Sequence, residues 1–426
     1  MGTNLNFSTR NFHLKNIGFI STRIAGIDGV SLEIEKWAEV LSQEGFNCFY
    51  FAGEVDRPEE ISYVCALAHF EHPEIAALNQ KIFGVFHRSR ETTDKIFQIK
   101  NKLKSALYKF KKKFGIDIII PENALSIPLN IPLGIALTEL IAETQIPTIA
   151  HHHDFFWERD RFLINSCPDY IAQAFPPDLP SIQHVVINSL ASRQLNYHAG
   201  VSNTVIPNVY NFEISPPPSH ESCLQLKEEI GLQPDDLFIL QPTRIVPRKR
   251  IERAIEIVHN LGLSRPFLII THPSGDEGDD YYQHIMEYAQ QSGVKIIRID
   301  HVISSGKNHA QKPYTITDAY QCADLVTYPS DYEGFGNAFL EAIYFKKPIV
   351  VNRYSIYVTD IEPKGFEVIS FEGFATRSVI SQIKRTLFDP LYRLKMTEKN
   401  FKLGKKFFSY EILRKKLLAL LSNFQP

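Results

Sequence analysis

Asp331-Tyr332-Glu333-Gly334-Phe335-Gly336-Asn337-Ala338-Phe339-Leu340-Glu341 follows a short apolar strand, Ala323 to Tyr328, and opens a helical pattern that runs to about Phe345. The order is strand, tight turn, helix N-terminus. Backbone amides in the first turn of such a helix have no intrahelical partner, and Gly334 and Gly336 let an anionic group come close to the chain. A phosphate is the natural guest. Asn337, Glu341 and Phe345 recur at helical spacing, which puts Glu341 inside the helix within reach of a sugar hydroxyl; Glu333, ahead of the turn, can reach another. The plainer alternative is a surface turn with capping carboxylates.

Upstream and downstream, short apolar runs alternate with longer amphipathic ones. Ile17 to Ile20, Asn47 to Phe51, Ile116 to Ile120, Pro147 to Ala150 and Val185 to Ile187 read as strands, separated by helical patterns at 30–44, 95–113 and 131–144. The pattern breaks at Ile206-Pro207-Asn208-Val209 and Pro216-Pro217-Pro218. It restarts with Leu237 to Leu240, Pro266 to Thr271, Val294 to Ile299, Asp324 to Tyr328 and Pro348 to Val351. Buried parallel strands alternating with helices predict two doubly wound α/β domains, 1–208 and 209–404, with a closing helix near Phe408 to Leu421.

A chain of 426 residues suits two such domains, and 44% hydrophobic with 22% charged residues is the composition of a globular protein. A net charge of −2 argues against a dedicated nucleic-acid binder. Five scattered cysteines fit neither a disulfide framework nor a structural zinc site, so a reducing cytoplasm is expected. Neither a signal peptide at Met1 to Lys15 nor a spanning run of about 18 apolar residues is present. The basic helix from Lys95 to Lys113 sets Ile96, Ile99, Leu103, Leu107 and Phe110 on one face, giving an ordinary surface helix or, as a minor alternative, one that rests on an anionic membrane.

Ligands of open α/β sheets bind beyond the carboxyl ends of the strands, so the loops there hold the candidates. In Ser21 to Ser31, Asp28 is an acceptor contact or a helix N-cap. His151-His152-His153-Asp154-Phe155-Phe156-Trp157-Glu158-Arg159 invites a metal reading, but successive strand residues face opposite sides and three in a row do not converge on one ion, so no metal is expected. Trp157, Glu158 and Arg159 suit a polar carbohydrate acceptor, with Asp154 beside them as a further contact, or form a plain ion pair at a helix start. Asn123 and Asn130 make a second candidate acceptor wall. Thr271 to Asp280, with His272, can touch the donor or its base, or be a surface turn.

The Glu-x7-Glu spacing with Gly-Phe-Gly-Asn between closely resembles the donor-site motif of retaining GT-B glycosyltransferases of family 4, and Lys347-Pro348-Ile349-Val350 continues it. The resemblance spans nearly the whole chain. It implies two Rossmann-like domains facing across a cleft, the second binding a nucleotide diphosphate-sugar, the first the acceptor, with the segment 405–426 packing back on the first. Departure of the diphosphate needs fixed cations where no metal serves, and Arg244 and Lys249, in Gln241-Pro242-Thr243-Arg244-Ile245-Val246-Pro247-Arg248-Lys249-Arg250, match the family's pair; Arg248 and Arg250 read as solvated. Thr243 stands where glycine is usual, and Asp28-Gly29 where two glycines are, which leaves Gly29 as the diphosphate-side contact. His153 matches the histidine facing the transferred sugar, with His151 and His152 as alternatives.

The roles implied are Glu333 on sugar hydroxyls, Glu341 on the ribose, and Gly334, Phe335, Gly336 and Asn337 around donor oxygens. No carboxylate of the first domain stands out as a nucleophile, so same-face displacement with retention is expected. The His-rich run and the Gln241 run look like the branch containing mannosylglucosylglycerate synthases, which implies a small anionic sugar acceptor and GDP-mannose, or a UDP- or ADP-glucose, as donor. Alternatives are a lipid-linked or polysaccharide acceptor, a disaccharide phosphorylase or sugar-nucleotide epimerase on the same scaffold, and a non-catalytic sugar-nucleotide binding protein.

Overall fold

The computed structural model describes residues 13–26, 28–217, 220–273, 280–304 and 313–424. Ile27, Pro218 and the acidic turn 274–279 therefore lie outside the described residues. The chain divides into two compact units, one built from residues up to Pro207 together with Leu413 onward, the other from Asn208 to Ile412.

Unit 1 is built on a seven-stranded parallel sheet of β1 (Asn16–Ile20), β2 (Asn47–Ala52), β3 (Ser62–Val64), β4 (Ile118–Pro121), β5 (Thr148–His152), β6 (Ile182–Val186) and β7 (Asn203–Val205), ordered β3-β2-β1-β4-β5-β6-β7. The central strands are continuous Ile, Val and Phe runs because helices cover both faces. The helix Arg90–Phe114 sends Ile96, Ile99, Leu103, Leu107 and Phe110 into this core, all at most 1% exposed. Its apolar stripe is thus part of the core of unit 1.

Unit 2 repeats the plan with β8 (Leu237–Gln241), β9 (Pro266–Ile270) and β10 (Lys295–Arg298), a small parallel pair β11 (Ile303–Ser304) and β12 (Tyr314–Thr315), then β13 (Leu325–Tyr328), β14 (Ile349–Asn352) and β15 (Ile369–Phe371). Its main sheet is ordered β10-β9-β8-β13-β14-β15 and is parallel throughout. Both orders reverse direction once, between β1 and β4 and between β8 and β13, and the crevice beyond the strand ends at such a switch point is where doubly wound sheets take ligands.

The expected closing helix is present as Tyr410–Ser422. Pro390–Phe408 and Tyr410–Ser422 are separate helices, because Ser409 is extended. From Leu413 the second belongs to unit 1, burying Leu413, Leu417, Leu420 and Leu421, while Lys416 Nζ donates to Val205 O at 2.9 Å and Gln183 Nε2 to Leu420 O at 2.9 Å. No helix among the described residues is long and apolar enough to cross a membrane.

Candidate functional site

In unit 2 the loops leaving β8 and β13 meet at the switch point. Asp331 N donates to Arg248 O at 3.0 Å; Lys249 Nζ donates to Glu333 Oε1 and Arg248 Nη1 to Glu333 Oε2 at 3.4 Å. Arg250 and Arg253 both pair with Asp331. The expectation that Arg248 and Arg250 are merely solvated is thus corrected: the short turn Pro247–Lys249, closed by Arg250 at φ +48°, aims them at the carboxylates of the neighbouring loop. Below the turn, buried Gln241 donates to Thr243 Oγ1 and accepts from Thr327 Oγ1, both at 2.7 Å, locking the two strands together.

Charge in this cluster is unevenly satisfied. Lys249 is 8% exposed, and burial pushes its ammonium below the ordinary value against the pull of Glu333. Burial pushes the Glu333 carboxyl up, but Lys249 and then Arg248 outweigh it and hold it below the usual carboxylate range. The pair is ionised, and Glu333 is an ion-pair partner before it is a sugar ligand. Arg244 differs: it is exposed and has no partner among the described residues. His272, two residues beyond β9, shares a 2.7 Å hydrogen bond with Thr271; burial, then the charges of Lys249 and Arg244, push it down to about 4, so it is neutral at pH 7.

The glycine-rich turn is pinned from β14: Asn352 Nδ2 donates to Ser330 O and Tyr354 Oη to Phe335 O, both at 2.9 Å. Phe335 itself is buried against Phe408, so its backbone rather than its ring faces the turn. Gly336 stands at φ +121° as N-cap of the helix Asn337–Tyr344, and no side chain caps that helix, which leaves its first-turn amides to an outside acceptor. Asn337 Oδ1 accepts from Asn208 Nδ2 at 2.8 Å, and Glu341 Oε2 accepts from Tyr320 Oη at 2.7 Å. A Cβ at 336 would lie 2.5 Å from Tyr354 Oη in a backbone region L-residues avoid. Gly336→Ala should therefore cost about 1–3 kcal/mol in denaturant unfolding; an unchanged midpoint would show that the turn is not held as described.

In unit 1 the corresponding switch point brings together the loops after β1 and β4, with Ser21 Oγ donating to Glu122 O at 3.1 Å. Asp28 is the N-cap of the helix Gly29–Gln43: Oδ1 accepts from Val30 N and Ser31 N, and Oδ2 from Ser31 Oγ and Arg23 Nη2. Its carboxylate thus caps the helix and pairs with Arg23. Gly29 is the first residue of the helix, with open space on the side where a Cβ would stand. Asn130 is likewise structural, capping the helix Ile131–Thr144 through Leu133 N and donating to Leu67 O and Ala68 O while 2% exposed.

The three histidines separate as strand alternation requires. His152 turns to one side and bonds His184 at 2.9 Å. His151 Nδ1 and His153 Nε2 turn to the other, 2.9 and 3.0 Å from Glu122 Oε2. Glu122, the first residue after β4, is the site residue that sequence reasoning missed; its signal is its place beside a strand end rich in histidine. Its side chain is fully buried. Burial pushes His153 down, but its bond to Glu122 and the charge of that carboxylate leave it above the ordinary value; His151 lies below, chiefly through burial. Among the three, His153 is the least buried.

Asn123 staples the two loops: at φ +56° it accepts His153 N on Oδ1 at 2.7 Å and donates to Asp154 Oδ1 at 3.3 Å. Asp154 also pairs with Arg159, so this expected acceptor wall is an internal ion pair. Trp157 is sandwiched between Phe155 and His198, with ring centroids 4.4 and 4.5 Å away, which leaves no face open for a sugar to stack on. Only one group of described residues, Glu122 with His151 and His153, has donor atoms close enough to hold a metal ion.

Residues 225–402 match the family of glycosyl transferases group 1. The chain is similar to mannosylglucosylglycerate synthase of Thermotoga maritima, 32% identical over 93% of this chain and 97% of the relative, and to that of Petrotoga mobilis, 31% identical over 94% and 99%. In fold it is similar to a glycosyltransferase from Rickettsia africae, with a TM-score of 0.70 at 13% identity over 97% of this chain and 99% of that one. Its two parallel sheets are those of a GT-B glycosyltransferase, and the chain belongs to the glycosyl transferases group 1 family.

Proposed function

We propose that the protein is a retaining hexosyltransferase that moves a sugar from a nucleotide diphosphate-sugar, of GDP-mannose or UDP- or ADP-glucose type, to a hydroxyl of a small anionic sugar acceptor such as a glucosylglycerate-like solute. The observation that carries this is the exposed Arg244, whose side chain has no partner among the described residues, beside Lys249 and His272, on loops that also bring the uncapped helix N-terminus at Asn337. Fixed positive charge and backbone amides suit a diphosphate leaving group without a metal in that role. The acceptor class rests on the names of two relatives that match over nearly their full lengths.

In this reading Arg244 and Lys249 neutralise the departing phosphate, Glu333 and Glu341 reach the sugar and the ribose, and His153 presents its imidazole to the transferred ring. Same-face displacement gives retention, the leaving phosphate taking the proton of the acceptor hydroxyl. A cytoplasmic location suits five cysteines without a disulfide. The test is a thermal-shift screen against GDP, UDP, ADP and their sugars, repeated on Arg244→Ala. One nucleotide should stabilise the wild type in proportion to its affinity and lose that effect in the variant. Stabilisation by inorganic phosphate or a free disaccharide instead would overturn the transferase reading in favour of a phosphorylase.

A further inference from the structure

We propose that Glu122, His151 and His153 form a binding site in unit 1 for one divalent transition-metal ion of the Zn2+, Co2+ or Mn2+ kind, separate from the cations that serve the diphosphate. The expectation that a run of histidines cannot converge holds for neighbours only. Residues two apart share a strand face, and at the end of β5 this turns His151 and His153 the same way while His152 bonds His184 on the other side. The third group comes from the adjacent strand, where Glu122 pairs with His151 in an isolated parallel bridge.

One donor atom from each residue lies within 4.8 Å of the others, and His151 Nδ1 and His153 Nε2 stand 2.9 and 3.0 Å from the same carboxylate. Ligands held at about 2.0–2.2 Å around one ion are separated by roughly 2.9–3.4 Å, so the groups need move little to close on a metal. A second observation points the same way. Glu122 Oε1 has no hydrogen-bond partner among the described residues although the side chain is fully buried, and a buried carboxylate oxygen left unpaired is costly. An ion bound across the carboxylate would satisfy it.

The set is also held in place. Trp37 stacks on the His151 ring with centroids 4.1 Å apart, Asn123 Oδ1 fixes the His153 amide, and the buried Glu33 on the helix Gly29–Gln43 adds negative potential. Two imidazoles and one carboxylate select borderline first-row ions over Mg2+ or Ca2+, which favour oxygen alone. Three protein ligands leave a position open, and it lies on the side of His153, whose side chain is 9% exposed against 1% and 0% for its partners. That position takes an oxygen ligand from outside, a carboxylate or hydroxyl.

The experiment titrates Co2+ into tag-free full-length protein after chelator dialysis, reading visible absorption and metal content. One Co2+ per chain, displaced by Zn2+, is expected. His153→Ala and Glu122→Gln, checked for folding by circular dichroism, should each weaken binding by at least the roughly 10–100-fold that loss of a mere supporting partner costs. Failure of the wild type to bind one equivalent overturns the site whatever the variants do. Undiminished binding in both folded variants overturns it too, since other histidines among the fifteen would then hold the metal.

Discussion

Arg244→Ala should lower kcat/KM for sugar transfer by about 100–1000-fold, the loss typical of removing one donor from a site of developing negative charge, with the unfolding midpoint almost unchanged. The dissociation of effects follows from the geometry. Arg244 is exposed and has no partner among the described residues, so its removal breaks no interaction within them, and surface changes of that kind shift stability by no more than about 0.5 kcal/mol. Its value lies in what it meets outside the chain. Steady-state kinetics on the sugar nucleotide chosen by the thermal-shift screen, together with a melting curve, check both halves. A variant that melts early and keeps its rate would place Arg244 in the scaffold instead of the donor site.

The strands of the two sheets were legible wherever burial on both faces demands an unbroken apolar run, as in Ile118–Pro121 or Ile349–Asn352. β3, β7 and β15 were not, because three residues are too few to show a period. The helix N-terminus of the donor loop was readable from glycine spacing, since that signal is local. Partners 84 residues apart were not: no local feature of Lys249 says that Glu333 will claim it. Trp157 misled in the same way, for the His198 that covers its second face comes from the distant helix Ser189–Ala199. Glu122 stood in plain view after a strand, but its role appears only when β5 is laid beside β4 and His151 and His153 turn towards it.

Lys249→Ala should act differently from Arg244→Ala, costing stability as well as activity. It leaves the buried Glu333 carboxylate with Arg248 at 3.4 Å, 39% exposed, as its remaining cation among the described residues, and breaking a buried pair from one side costs about 3–5 kcal/mol. For a unit of this size that is a fall of roughly 6–20 °C in melting midpoint. Removing both charges in Lys249→Met with Glu333→Gln should recover much of the stability, because no ion is then left unpaired, while transfer stays abolished. pH supplies an independent sign. The Glu333 carboxyl is held below its ordinary 4.5 in the folded chain, so its contribution is fully present above 4.5 and is lost as pH falls through the lowered value. The advantage of the wild type over the double variant should accordingly shrink in acid denaturation series run below pH 4.5. If the double variant is as unstable as Lys249→Ala, the cost comes from the lost contact of the Lys249 ammonium with the Tyr328 ring and not from the orphaned charge.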